Sequence, residues 1–364
     1  MAVRPFVEDD LPQVADLWWK VFRHAKSAAP PSVHTYFREL YVNSPWIDST
    51  TPSLVYEDKS QRIVGFLGGI RRKMSLCGQP IRISCGGNFV VHPDARTTMA
   101  GLHLLKTYMA GDQELSLTDS ANDVSRNLLE RLGFRTIMAF SMSWARALRP
   151  AHYAVHAASS MTGPVLSTTL SFAAKPFCSI VDGMAARLTS SPFRLTPSPL
   201  HAAELDVETL LQCLAESRTG YSLWPEYDVP TLTWLLTFME KMHPQLNLRK
   251  VLLRDDQERI RGWYVYYVKP GGVAQAAQIG GERKFTKEVL DHLFYDAWKH
   301  GAIAIHGVAR SDLIPAYWEK KCFFTCRSGW MLAHSRSPEL VELLDRGDAS
   351  FSRLDGEWCL GFEE

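Results

Sequence analysis

A chain of 364 residues is too long for one small core and suits two domains of ordinary size. Its 46% hydrophobic and 22% charged content excludes wholesale disorder. A formal net charge of +1, with no basic stripe carrying interleaved aromatics, excludes a global field for nucleic acid, so no nucleic-acid partner is expected.

In chain order, β-rich apolar runs predict strands at Leu54–Glu57, Ile63–Met74, Ile81–Val91, Leu115–Thr118 and Arg135–Trp144. Helical periodicity predicts helices at Leu11–Phe22, Val33–Tyr41, Met99–Ala110 and Val124–Leu132, the last capped by Asn122 or Ser120 and stopped by Gly133. From Pro150 to Pro192 only Lys175, Asp182 and Arg187 are charged, and Pro164, Pro176 and Gly183 interrupt the run. That segment reads either as a connector packing on its neighbours or as a surface for membrane or a partner; the absence of a strong basic face favours packing. After about residue 196 a similar order returns. Helices are expected at Val207–Ala215, Val229–Met242, Thr286–His300 and Asp312–Lys321, and strands at Leu248–Arg254, Ile260–Lys269, Val273–Ile279, Ala302–Val308 and Phe323–His334.

Two local matches accompany this return. RIVGF at 62–66 parallels RIRGW at 259–263, and NDVSRNLLERLGF at 122–134 aligns without a gap on SDLIPAYWEKKCF at 311–323. Together they read as two copies of one fold. The seven cysteines are scattered; Cys322 and Cys326 are close but have no second Cys/His pair to complete a zinc site, so reduced thiols and no metal are expected. MAVRPFVEDD turns acidic too early for a signal peptide and no long apolar run exists, so the expectation is a cytoplasmic protein.

The segment FVVHPDARTTMAGLHLL, Phe89 to Leu105, passes from a strand into a helix with little turn chemistry. Pro93 ends the strand, Arg96 brings a positive charge, and the free first-turn amides of the helix make an anion site; an ordinary capped strand–helix turn is the alternative.

This segment resembles motif A of the GNAT superfamily of acyl-CoA transferases, with Val91, Pro93, Arg96 and Gly101 matching and Met99 in place of the first glycine. NDVSRNLLERLGF resembles the following motif through Asn122, Leu128, Gly133 and Phe134; Ser125 replaces an alanine and Leu129 replaces the tyrosine. The resemblance covers residues 1–147 and reaches 197–335 only through the order of elements. It implies an α/β chain of two tandem GNAT folds, each a central splayed mixed sheet flanked by helices: residues 1–147 binding acyl-CoA, an apolar connector over 148–196, and 197–364 without the phosphate loop.

The cosubstrate so implied is acetyl-CoA or another acyl-CoA, with no metal. Backbone groups of Phe89, Val90 and Val91 would pair with its pantetheine arm. Amides of Thr97, Thr98, Met99, Ala100, Gly101 and Leu102, beside Arg96, would hold its pyrophosphate, with Asn122 nearby. Gly86 and Gly87 mark either a bulge aiming an N–H at the thioester oxygen or a plain kink. Because Leu129 removes the family's usual phenol, Ser125, a water or another tyrosine would protonate the leaving thiolate. Asp119, at a strand C-terminus, is the candidate base, with helix capping as its competing role. His92, and His24 and Lys26 in the first interhelical loop, are weaker candidates against solvated side chains. Trp224, Tyr227 and Trp234 offer a stacking wall or core packing, and Asp355 and Glu357 an amine-attracting pair or a solvated turn.

The implied reaction is N-acylation of an amine on a small molecule or a saccharide precursor, the saccharide resting on similarity to double-GNAT proteins of bacterial polysaccharide clusters. A FemA/FemX-like aminoacyl transferase and a non-catalytic acyl-CoA-binding module are the alternatives.

Overall fold

The structure, a computed structural model, describes residues 2–47, 52–159, 164–326 and 329–362, with backbone alone over 164–175. Its strands and helices are β1 (Ala2–Pro5), α1 (Leu11–Phe22), α2 (Pro31–Tyr41), β2 (Leu54–Glu57), β3 (Ile63–Leu76), β4 (Gln79–Val91), α3 (Ala100–Met109), β5 (Leu115–Ala121), α4 (Asp123–Arg131), β6 (Arg135–Thr136), α5 (Met138–Ser141) and β7 (Ser143–Ala147). They continue as α6 (Pro150–Ser159), α7 (Pro164–Arg187), β8 (His201–Glu204), α8 (Val207–Glu216), β9 (Leu223–Pro225), α9 (Val229–Met242), β10 (Asn247–Arg254), β11 (Ile260–Val268) and β12 (Val273–Gly281). The remainder is α10 (Thr286–Lys299), β13 (Ala304–Val308), α11 (Ile314–Glu319), β14 (Phe323–Thr325), β15 (Trp330–Ser335) and α12 (Pro338–Asp345).

The fold is mixed α/β with two mixed sheets flanked by helices. The chain divides into two compact units: Met1–Ser141 with Arg218–Met242 and Gly329–Glu364, and Met142–Ser217 with His243–Ser328. Among the described residues, the first holds a sheet ordered β1-β2-β3-β4-β5-β15-β6, with β9 added to β3. The second holds β14-β7-β13-β12-β11-β10-β8.

These boundaries differ from a cut at 147 and 197, and the reason lies in two segments. Arg135–Trp144, read as one strand, is broken by the short helix α5: β6 joins β15 in the first sheet, and β7 pairs with β13 and β14 in the second. Phe323–His334 divides likewise, β14 going to the second sheet and β15 to the first, where it pairs with β5. Each half-strand buries its apolar residues in a different core. Trp144 is fully buried and stacks on Tyr317 (centroids 5.0 Å) in the second unit, whereas Leu332 and Ala333 are fully buried in the first.

Elsewhere pattern and structure agree. In α1 the spacing of Leu11, Val14, Ala15, Leu17 and Trp18 makes one apolar stripe, and all of them are buried. The connector runs differently from its reading: α7 continues through Pro176 and Gly183, with Pro164 at its first position, where a missing N–H costs nothing. Asp182 ties α7 to α6, accepting from the Ala151 amide (2.7 Å) and meeting His152 Nδ1 (2.6 Å). Residues 160–163 of the connector lie outside the described residues. Among the described residues no helix is long and apolar enough to cross a membrane.

The matched RIVGF and RIRGW segments open strands behind hairpins built alike. Asp58 accepts from the amides of Ser60 and Arg62 and from Arg62 Nε, with Gln61 at φ +60°. Asp255 does the same for Gln257, Arg259 and Arg259 Nε, with Glu258 at φ +59°.

The C-terminal segment closes the first unit. Arg72, on β3 and 4% exposed, donates Nε to the Asp355 carbonyl (3.0 Å) and Nη2 to the carbonyls of Gly356 (3.3 Å) and Leu354, while its guanidinium lies 3.9 Å from the Trp46 ring centroid. Asp355 itself accepts from the Ser352 amide (2.6 Å) and the Tyr227 hydroxyl (2.7 Å). Replacing Arg72 by alanine strands these buried carbonyls. Arg72→Ala is expected to cost about 3 kcal/mol in urea unfolding and to expose the 351–362 segment to protease. Unchanged stability and protection would show that the segment docks by other means.

A candidate active site where β4 and β5 part

β4 and β5 run parallel and pair at Ile83–Leu115, Ser84–Ser116 and Cys85–Leu117, and their pairing stops there. β5 is paired with β15 on its other side along its whole length, from Leu115 to Ala121, while beyond Cys85 β4 keeps its antiparallel partner β3. From Gly86 onward the β5-facing edge of β4 has no strand partner among the described residues. A cavity of about 250 Å³ occupies the opening. Its walls are Gly86, Gly87, Asn88 and Phe89 from β4; Leu117, Thr118, Ser120 and Ala121 from β5; and Asn122, Ser125 and Leu129 at the start of α4. The α1–α2 side contributes Trp18, Phe22, Tyr36 and Leu40, and the C-terminal segment contributes Glu357 and Phe362.

The irregularity suggested by the two glycines lies just after them. Phe66 faces Val90 and Gly68 faces Gly87, so β4 carries one extra residue, and Asn88 there adopts φ +51°, a conformation asparagine tolerates. Bulging turns the Asn88 side chain to donate to the hydroxyls of Tyr36 (2.7 Å) and Tyr41 (2.9 Å). Burial raises both phenols well above their usual range, so they stay protonated.

Among the described residues Glu357 is the carboxyl side chain that lines the cavity. One carboxylate oxygen accepts from Ser120 Oγ (2.7 Å) and Thr118 Oγ1, and the other lies against Gly87, where a Cβ would approach it to 2.5 Å. Asp119 stands behind it, accepting from the backbone amides of Glu357 (2.8 Å) and Trp358 (3.1 Å). Burial raises both carboxyls, and the Asp119 charge raises Glu357 further, to about 7. Arg353, buried near Asp119 and lying over the Trp358 ring, favours the charged form of Asp119.

The sequence-predicted residues separate into groups. Phe89, Asn122 and Ser125 line the cavity; Val90 and Val91 lie on β4 beyond it. Asn122 caps α4 by accepting from the Ser125 amide (2.9 Å). Asp119 neither caps that helix nor lines the cavity; it fixes the backbone that carries Glu357.

Arg96, Thr97 and Thr98 belong to a 3-10 turn spanning Pro93–Thr98, with Thr98 Oγ1 donating to the Ala95 carbonyl (2.7 Å). That turn draws its later amides into its own i→i−3 pattern, so the amides opened by α3 begin at Ala100, followed by Gly101 and Leu102. Met99 takes φ +62° with a 53% exposed side chain, which explains why glycine suits this position. A Cβ on Gly101 would sit 3.1 Å from the Phe89 ring, so the first turn of α3 adjoins the cavity wall.

His24 and Lys26 are exposed in the α1–α2 loop, and His92 accepts from the Asp94 amide. Trp224 donates to Glu226, Tyr227 holds the C-terminal segment, and Trp234 stacks on Phe238; none lines the cavity. The solvated-turn reading of Asp355 and Glu357 is overturned, since Arg72, Tyr227 and Asp119 bury that turn.

No protein-family model matches the chain, and no curated protein matches it. Solved structures do. A protein of unknown function from Enterococcus faecalis V583, described as a probable N-acyltransferase, shares 11% identity over 92% of this chain and 72% of its own, with a TM-score of 0.60. A GCN5-related N-acetyltransferase from Anabaena variabilis gives 9%, 93%, 73% and 0.59, and one from Kribbella flavida gives 12%, 92%, 70% and 0.55. The fold is that of the GCN5-related N-acetyltransferases. Within this fold the parting of β4 and β5, the bulge at Asn88 and the loop before α3 form one continuous edge.

Glu357 carries a pH signature. Its unfolded carboxyl, with an ordinary value of 4.5, releases its proton before the folded one does, so wild-type stability falls as pH rises from there to about 7. Glu357→Gln removes that fall. Its urea midpoint is expected to gain on wild type between about pH 5 and about pH 8; a constant difference would mean that Glu357 titrates as if solvated.

Proposed function

We propose that this protein is an N-acyltransferase that uses acyl-CoA, with its active site in the opening between β4 and β5 and Glu357 as general base. The observation that carries the reading is a bare strand edge ending in a cavity that holds a carboxylate tuned toward neutral pH. The neighbours' fold supports it.

The residues present fit the cosubstrate. The unpartnered edge from Gly86 suits the amides of a pantetheine arm, and the first-turn amides of α3, with Arg96 exposed nearby, suit a pyrophosphate. Bound acyl-CoA supplies an acyl group activated as its thioester. Glu357 takes a proton from the acceptor ammonium, leaving the free amine as nucleophile. Thr118 and Ser120 orient the carboxylate, and Asp119 positions its backbone. Leu129 itself brings no phenol to the wall; Tyr108, which also lines the cavity, gives its hydroxyl proton to Ser84 (carbonyl 3.0 Å, Oγ 2.9 Å), and Ser125 is the hydroxyl on the same helix as Leu129. The acceptor is the amine of a small molecule. A non-catalytic acyl-CoA-binding module is the second reading, favoured by Leu129 and Met99 at positions where the resembled motifs carry tyrosine and glycine. The paired Asp58 and Asp255 hairpins support duplication of one ancestral unit.

Thiol release from acetyl-CoA across an amine panel tests the reading. Glu357→Gln is expected to lower kcat/KM by about 10²-fold or more while calorimetric affinity for acetyl-CoA stays within about 3-fold. Retained activity in this variant removes Glu357 from the mechanism.

Wild-type activity is expected to rise with pH through about 7, as Glu357 loses its proton. Asp119→Asn keeps an oxygen for both backbone amides but removes the charge that raises Glu357, so this rise should move to lower pH. A fixed profile with lowered stability would assign Asp119 a structural role alone.

A further inference from the structure

We infer that the acceptor is an aromatic primary amine with a single positive charge and no acidic group. The inference rests on the acyl-transfer reading and narrows its substrate. Three features of the cavity converge on it.

The first is the wall opposite β5. Trp18, Phe22, Tyr36 and Phe362 form a ring cluster with centroid separations of 5.4 Å (Trp18–Phe22), 6.2 Å (Trp18–Phe362) and 5.2 Å (Tyr36–Phe362). Phe22 remains 47% exposed at the rim although the cluster buries its neighbours, which leaves an aromatic face for a ligand's apolar body.

The second is charge. Glu357 lines the cavity, and among the described residues no lysine, arginine or histidine does. Arg23, exposed and not part of the lining, donates to the Phe362 carbonyl (3.3 Å) and lies 5.8 Å from the Trp18 centroid. An ammonium entering here meets a carboxylate and ring faces. A carboxylate or phosphate on the same molecule would be buried without a counter-charge.

The third is the distribution of hydrogen-bonding groups. Thr118, Ser120, Asn122 and Ser125 all stand on the β5–α4 side, where Glu357 already engages the first two. On the aromatic side Tyr36 donates to the Leu360 carbonyl and accepts from Asn88. A sugar ring placed against that wall would leave its hydroxyls unpaired.

In the transfer the amine nitrogen forms a bond to the acyl carbon as the carbon–sulfur bond breaks. One ammonium proton goes to Glu357 and onward to solvent, and the second goes to the departing sulfur, giving an amide and a thiol.

The test follows thiol release by the full-length protein from acetyl-CoA with phenethylamine, phenylalanine or glucosamine, beside calorimetry with acetyl-CoA alone. Phenethylamine is expected to exceed both others by about 100-fold in kcat/KM, since each of them buries unpaired polar or charged groups. Phe22→Ala, at a half-exposed position, should raise KM for phenethylamine about 10-fold with kcat within about 2-fold and with urea stability measured alongside. Equal or better use of glucosamine or phenylalanine overturns the inference and leaves acyl transfer standing. Acetyl-CoA binding without turnover of phenethylamine overturns it too. Absence of both acetyl-CoA binding and thiol release brings down the acyl-transfer reading itself.

Discussion

The structure of the site depends on a hydrogen-bonding constraint: two parallel strands that pair for three residues and then separate. Once β4 and β5 part after Cys85 and Leu117, the backbone groups on that side of β4 need a partner that the sheet does not supply. A parted pair would be costly in a closed core. Here the gap opens to a cavity, and the adjoining helix α3 presents further unbonded amides at its start. Strand edge and helix terminus thus adjoin, each with backbone groups that the sheet or the helix does not bond.

The C-terminal segment brings a carboxylate to that cavity. Arg72 grips three successive carbonyls, and Asp119 takes two successive amides, so the backbone of residues 354–358 is held from both sides. The consequence is positional: a carboxylate from the far end of the chain stands against Gly87, where only a glycine leaves room. Low exposure and the neighbouring Asp119 charge then keep the Glu357 proton near neutrality. Two acidic residues divide the work, Asp119 as anchor and Glu357 as the group facing the cavity.

The second unit has its own parallel pair, set in a packed core. β12 and β13 also run parallel, but Trp144 from β7 packs against Gly307, approaching to 3.1 Å the place a Cβ would take, and stacks on Tyr317. Its hairpin at Asp255 repeats the amide bonds of the Asp58 hairpin, with Arg261 added as a further donor to Asp255 and paired in turn with Glu282.

Local patterns were sufficient for most elements. The apolar stripe set α1 at Leu11–Phe22, Asn122 capped α4, and Gly133 took φ +97° after it. Such features depend on neighbours within one helical turn, so sequence alone determines them, and the strand-to-helix passage after Phe89 is of the same kind. The strand exchange was not legible, because a continuous apolar run looks the same whether it enters one sheet or breaks between two. Glu357 was legible only as one of two readings, half of an amine-attracting pair or part of a solvated turn, because a Glu after a Gly looks the same in both. What moved it into the site is Arg72, more than 280 residues away, and Asp119, 238 residues away. Contacts at that separation are decided only when the whole core packs. The sequence by itself determined most elements and the strand-to-helix passage after Phe89, because these depend on near neighbours; the tertiary structure alone decided which carboxylate faces the cavity, since burial and pairing across the chain set both its position and its proton affinity.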